Sequence, residues 1–254
     1  MLVGEKKFLV GIVDSEVLDT VESDSAHRMY NDMVACSALE IRYDFFDENE
    51  WPTLSSRVRK IAPNAMQVGT IRLKRDGGNF PDDRAKKRLS LWQSIFGAVQ
   101  VPDWIDLEFD CRDEYSTLNK VIQSSRTKIL VSQHDFARVP AKEKLEDFAN
   151  EVMRVGAPGL KIAAMCNSEK DCELLYSFVQ KFAGKFSLFA AFGMGDIGRV
   201  TRIWSLKEGA NLTYGSIGRA AAPGLLEVPL MDKALNKLSD FQFQSELSAF
   251  LSEN

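Results

Sequence analysis

A lysine stands inside an apolar run, Leu160-Lys161-Ile162-Ala163-Ala164-Met165, and a histidine closes another, Ser132-Gln133-His134. Burying an ammonium among aliphatic side chains is costly, so lysine is rare in such a run. Desolvation and neighbouring cations lower the pKa of a lysine held that way. The neutral amine that results can add to a carbonyl and form a Schiff base. Histidine moves protons near neutral pH. Taken singly, the lysine could be an edge residue whose head reaches water, and the histidine a satisfied core residue. On adjacent strand ends, the two make a carbonyl-activating pair.

Other charged residues interrupt the apolar pattern at comparable points. Glu40, Arg42 and Asp44 occupy alternate positions, which is one face of an extended strand. Buried, they must pair with one another or hold a polar ligand, and a salt-bridged layer satisfies the pattern equally well. Thr70-Ile71-Arg72 leads into Leu73-Lys74-Arg75-Asp76-Gly77-Gly78, a tight glycine loop with Asp76 beside it. Gly193-Met194-Gly195-Asp196-Ile197-Gly198 opens a helix, a form suited to a phosphate or carboxylate, with Arg199 and Arg202 at i, i+3. Gly218 to Gly224 reads as a mobile flap of small residues. The cluster Arg84-Ala85-Lys86-Lys87-Arg88 reads as the solvated face of a helix over Asp82–Phe96.

The elements that must position these residues repeat one unit. Apolar, β-branched or aromatic runs at Phe8–Val13, Leu39–Phe45, Met66–Arg72, Trp104–Phe109, Lys128–Gln133, Leu160–Met165, Phe186–Phe192 and Leu212–Ile217 predict eight strands. Between them lie segments of helical period. Leu145, Phe148, Val152 and Val155 form one stripe, with Pro140 suited to the first turn and Gly156 to the stop. A further helix is predicted from Asn167 or Ser168, with Asp171 in its first turn, to Gly184. Eight βα units in 254 residues predict an α/β fold, a (β/α)8 TIM barrel forming one domain over residues 1–254. A doubly wound sheet is the alternative, but no G-x-G-x-x-G follows the first strand.

Composition excludes several classes. Charged residues make up 27% and hydrophobic ones 45%, which is globular and not disordered. No apolar run reaches membrane-spanning length, and the short N-terminal run lacks the features of a signal peptide. Four scattered cysteines without a C-x-x-C pair suit reduced thiols in the cytoplasm, and two histidines argue against a multi-histidine metal site. A net charge of −4 argues against nucleic acid as a partner.

In this order, these pieces resemble the type I 3-dehydroquinate dehydratases of the shikimate pathway. The most specific parts are Ser132-Gln-His134-Asp-Phe136, Leu160-Lys161-Ile-Ala, and Gly193-Met-Gly195 through Gly198 to Arg202. The resemblance implies a lyase that dehydrates 3-dehydroquinate to 3-dehydroshikimate, with neither metal nor organic cofactor. It implies Lys161 as the Schiff-base lysine, His134 as the general acid/base and Arg202 as the clamp on the substrate carboxylate. Glu40, Arg42 and Arg72 would bind substrate hydroxyls and order the site. Arg42, Arg72, Lys161 and Arg202 should then converge as a cationic pocket for a small carboxylate. Family members are often dimers, so the resemblance allows a homodimer without the sequence revealing the oligomeric state, and no membrane or nucleic-acid partner is expected.

Three positions depart from the family pattern. Glutamate, orienting the histidine, is usual where this chain has Asp76. In the closing lid, serine is usual where it has Ala221, and glutamine where it has Leu225. Each lost hydrogen bond is worth at most about 1.5–3 kcal/mol, one to two decades of affinity. Two other readings stay open on the sequence. One is a Schiff-base lyase or aldolase acting on a different carboxylated carbonyl compound; the other is a non-catalytic paralogue binding an acidic metabolite.

Overall fold

The eight apolar runs form eight parallel strands in a computed structural model that describes residues 6–110, 115–122, 125–218 and 223–253. The strands are β1 (Phe8–Val13), β2 (Ala38–Arg42), β3 (Met66–Thr70), β4 (Trp104–Glu108), β5 (Lys128–Asp135), β6 (Gly159–Met165), β7 (Leu188–Met194) and β8 (Leu212–Ser216). Between and after them run α1 (Ser15–Ser23), α2 (Arg28–Ala35), α3 (Trp51–Ile61), α4 (Arg88–Phe96), α5 (Tyr115–Ile122), α6 (Lys142–Arg154), α7 (Glu169–Phe182), α8 (Gly195–Gly198), α9 (Thr201–Glu208), α10 (Val228–Asn236) and α11 (Gln244–Glu253). Strand order is β7-β6-β5-β4-β3-β2-β1-β8, which is the α/β barrel expected.

Local signals explain the helix limits. Stripe residues Leu145, Phe148 and Val152 of α6 are buried, and Gly156 takes φ +77° just past its end, a conformation other residues adopt only under strain. Pro140 lies before the cap residue Ala141, not in the first turn. Ser168 caps α7 and exchanges hydrogen bonds with Asp171. The segment 82–96 departs from expectation: Asp82–Lys87 is a 3-10 helix, and α4 begins only at Arg88. No helix among the described residues is long and apolar enough to cross a membrane.

Period-2 alternation sorts each strand between two cores. Outward residues such as Leu39, Ile41, Ile105, Leu107, Ile129 and Val131 pack beneath the helices. Inward residues change character along the barrel axis. At the strand starts Val10, Ala38, Val68, Trp104 and Leu130 fill the interior with apolar bulk. Two residues further on, β2 to β5 place Glu40, Thr70, Asp106 and Ser132 there, all four buried, while β1 keeps the apolar Ile12. The apolar plug forms the floor of a polar upper half.

The ladder does not continue from β7 to β8 among the described residues, and Asn211 ties that seam instead. Its backbone N donates to the Phe189 carbonyl (3.0 Å), its Oδ1 accepts from Phe189 N (2.7 Å), and its Nδ2 donates to the Ser187 carbonyl (3.1 Å). Above the knot, the Phe192 and Tyr214 rings meet at 5.8 Å.

Candidate active site

Lys161 projects inward because its neighbours Leu160 and Ile162 belong to the outer core and Ala163 to the inner one. It is 5% exposed, and its Nζ lies 3.1 Å from Asp106 Oδ2 and 3.4 Å from Glu40 Oε2. Its third neighbour is the face of the Tyr214 ring, 4.1 Å from Nζ to centroid. The buried amine therefore sits between two carboxylates and an aromatic face.

A network of charges holds those carboxylates. Arg72 Nη2 pairs with Asp106 at 2.6 Å, and Arg72 Nη1 pairs with Glu108 at 3.3 Å. Ser132 accepts from Arg72 (2.9 Å) and donates to Asp106 (2.5 Å). Burial alone would raise the pKa of Asp106, but Arg72 and Lys161 outweigh it and hold the group well below the ordinary carboxylate range. Behind Glu108 stands Arg88, 2% exposed, which pairs with that carboxylate and donates to the Ile71 carbonyl at 3.2 Å. Arg88 is thus a buried counter-ion, against the expectation of a solvated helix face.

Arg42 and Asp44 meet in a different way from the one predicted. The strand stops at Arg42, and a 3-10 turn over Tyr43–Phe45 bends Asp44 back onto the guanidinium in two hydrogen bonds of 3.0 and 2.8 Å. Asp44 also accepts from the backbone N of Asn79 (2.9 Å), which fixes the loop after Gly77-Gly78.

His134 is carried within β5, level with Ala163 on β6. Burial, then the charges of Arg72 and Lys161, lower its pKa well below 6.5, so it is neutral at neutral pH. Its ring stacks on Phe136 (centroids 6.3 Å apart), and its Nδ1 is buried with no hydrogen-bond partner. Asp76 lies in the same cavity wall, yet its carboxylate stands 3.5 Å from Arg75 Nε and makes no hydrogen bond to His134. The orienting contact implied by the family resemblance is therefore not made: an aspartate is one methylene shorter than the glutamate usual there.

Arg202 is placed by the glycine loop. A Cβ on Gly198 would meet the Gly193 carbonyl carbon at 2.6 Å, so the two segments touch only because both are glycine. Thr201 Oγ1 clasps that contact, accepting from Gly193 N (2.6 Å) and donating to the Gly198 carbonyl (2.5 Å). Arg202 follows, 2% exposed, with its guanidinium over Phe192 (4.5 Å). Its Nε donates to the Gly224 carbonyl (3.1 Å) and its Nη2 to the Pro223 carbonyl (3.4 Å). No carboxylate pairs with it among the described residues, and burial lowers its pKa to about 10. Arg199 turns away, donating to Ser252 on α11 (3.0 Å).

One cavity of about 140 Å³ collects these groups. Glu40, Arg42, Arg72, Asp76, His134, Lys161 and Arg202 all line it, and the volume suits a single small molecule. Its remaining wall is apolar: Ile12, Ala163, Phe192, Met194 and Leu225, with Tyr214 beside Lys161. Ala221, the other altered lid position, lies outside the described residues. Around the cavity, the cations Arg42, Arg72, Arg88 and Lys161 pair with the carboxylates Glu40, Asp44, Asp106 and Glu108, Asp76 in the same wall pairs with Arg75, and Arg202 has no acid partner among the described residues. The unmatched charge is Arg202, so the pocket is built for one anionic group. Among the described residues, no three of His, Cys, Asp and Glu gather as a metal site requires.

Sequence reasoning missed Asp106, Glu108, Arg88, Ser132 and Tyr214. Two of them carried a readable signal. Trp104-Ile105-Asp106-Leu107-Glu108 alternates as Glu40-Ile41-Arg42 does, with acids at the inward positions.

Residues 17–242 match the family model described as type I 3-dehydroquinase. A protein of Methanococcus vannielii named 3-dehydroquinate dehydratase is 29% identical over 228 residues, 89% of this chain and 97% of the relative. The 3-dehydroquinate dehydratase structure from Geobacillus kaustophilus superposes with a TM-score of 0.82 at 22% identity, covering 94% of both chains. That of the type I enzyme from Clostridium difficile, with covalently modified comenic acid, superposes at 0.80 and 21% identity over 93% of this chain and 94% of that one.

Proposed function

The chain belongs to the type I 3-dehydroquinase family, and from that premise we propose the roles its residues take in dehydrating 3-dehydroquinate to 3-dehydroshikimate. The reaction is a lyase step of the shikimate pathway that runs through a lysine Schiff base. The barrel over residues 1–254 is the catalytic unit.

Arg202 receives the substrate carboxylate. It is the one cation in the cavity without an acid partner among the described residues, and two of its guanidinium nitrogens are already held by the backbone of residues 223 and 224. The free edge of a guanidinium fixed in that way offers a bidentate, charge-assisted contact. This unpaired buried cation, in the same cavity as the buried lysine, is the observation that carries the assignment.

Anchored there, the ring presents its ketone to Lys161. Nζ adds to the carbonyl carbon, and loss of water gives an iminium whose positive charge acidifies the adjacent C–H. His134 takes that proton, a role its neutral state permits. It then returns a proton to the departing ring hydroxyl, which leaves as water. Hydrolysis of the imine, with a second use of His134, frees the product and the amine. Glu40, Arg42 and Arg72 contact the ring hydroxyls, while Asp106 and Ser132 keep Arg72 and Lys161 in register. Asp76 acts on the site only at longer range, through the cavity wall.

The test is turnover. Mixed with 3-dehydroquinate, the protein should produce the conjugated enone, followed by its ultraviolet absorbance, and Lys161→Ala should abolish the signal. Wild-type protein that forms no enone would overturn the assignment.

A further inference from the structure

We infer that Tyr214 is the hydrogen-bond donor to the oxygen on the carbon that Lys161 attacks, first the ketone oxygen and then the hydroxyl of the addition intermediate. This rests on the Schiff-base reading above and adds a residue to it.

Four observations place the phenol there. Tyr214 is 3% exposed on β8, inside the barrel, and lines the cavity. Its ring is held between neighbours, with Lys161 Nζ 4.1 Å from its centroid and the Phe192 ring 5.8 Å away. Its hydroxyl is buried and makes no well-formed hydrogen bond, only a loose approach to the Glu40 carboxylate, a state that costs stability unless a ligand supplies a better acceptor. Burial, then the charges of Glu40 and Asp106 and the approach of the phenol to Glu40, keep it protonated, so it is a donor at all working pH.

The reach is also suitable. With Nζ 4.1 Å over the ring centre, the phenol oxygen stands roughly 5 Å from Nζ by ring geometry. An oxygen on the carbon bonded to Nζ lies about 2.4 Å from it, and directed at the phenol it leaves a gap of about 2.6 Å, within the range of an O–H···O bond. As Nζ adds, that oxygen gains negative charge. A fixed neutral donor in a water-poor site stabilises this charge more strongly than it does the ketone. No proton transfer is required of Tyr214, and the oxygen leaves as water using protons handled by His134.

The variant Tyr214→Phe removes one oxygen that makes no well-formed hydrogen bond and retains the ring over Lys161. The protein is mixed rapidly with 3-dehydroquinate and quenched with borohydride at increasing times, and the reduced adduct is followed by mass spectrometry. Adduct formation should slow at least tenfold in the variant, while its melting temperature stays level or rises. Competitive inhibition by cyclohexanecarboxylate, a ring acid without the keto oxygen, should change less than twofold. A smaller slowing, a lower melting temperature, or equal weakening of the keto-free acid would overturn the inference and leave Tyr214 as packing. Wild-type protein that traps no adduct would instead overturn the Schiff-base reading, and this inference with it.

Discussion

Replacing Arg202 with methionine separates binding from stability in a way that few active-site changes do. Burial lowers the guanidinium pKa from 12.5 to about 10, and that difference of 2.5 corresponds to about 3 kcal/mol disfavouring the buried charge. Hydrogen bonds to the Gly224 and Pro223 carbonyls return about 1 kcal/mol each, and the Phe192 face about 1 kcal/mol more. The free enzyme therefore gains almost no net stability from Arg202, and Arg202→Met should melt close to wild type. For a chain of this length, 1 kcal/mol corresponds to about 2–4 °C. Losing a two-pronged, charge-assisted contact to a carboxylate costs about 3 kcal/mol or more, so kcat/KM should fall more than a hundredfold. Thermal melts and steady-state kinetics on the same preparations give both numbers. A variant that melts several degrees lower while keeping kcat/KM within threefold would show that Arg202 is structural, and the reasoning from its missing acid partner would be wrong.

Other predictions follow from the same geometry. Asp76→Glu should let the longer carboxylate reach the unpartnered Nδ1 of His134, raising its pKa and moving the acid limb of the pH–rate profile upward; an unmoved limb contradicts this. In the wild type the folded pKa of His134 lies below its unfolded value of 6.5. Below pH 6.5 the unfolded chain thus binds the extra proton, and stability should fall as pH drops through that window, read by urea titrations at pH 7 and 5. Arg88→Met takes from Glu108 its closer buried partner and leaves only the 3.3 Å contact of Arg72, and should cost about 3 kcal/mol in urea unfolding, with a loss below 1 kcal/mol as the refuting result. The pair Ala221→Ser with Leu225→Gln should lower KM for 3-dehydroquinate by about one to two decades for each hydrogen bond restored, and unchanged kinetics would remove the lid departures from the account.

The sequence was most informative where a single physical rule decides the outcome. Inward and outward alternation made β2, β6 and β8 legible, because a one-residue slip would have driven Lys161 or Glu40 into the apolar outer layer. Gly156 and the Ser168–Asp171 pair marked helix limits for similarly local reasons. The glycine loop's partner was not legible, since Thr201 clasps Gly193 and Gly198 through contacts that exist only once the loop is folded. Arg88 was misread because its basic neighbours suggest solvent. Its burial is fixed by Glu108, twenty residues away on another element. Asp44 reached Arg42 only through a 3-10 turn, which period-2 reasoning does not contain. Tyr214 was invisible as chemistry, for a tyrosine in a strand is ordinary until its buried hydroxyl, without a well-formed hydrogen bond, is seen beside the lysine.

The central claim is that Lys161 is the nucleophile of a 3-dehydroquinase. Borohydride reduction of the protein in the presence of 3-dehydroquinate, followed by peptide mapping in a mass spectrometer, tests it most directly. The account predicts one stable adduct per chain, carried by Lys161, and no adduct on Lys161→Ala. A modification on another lysine, or none while 3-dehydroquinate is being consumed, would contradict it.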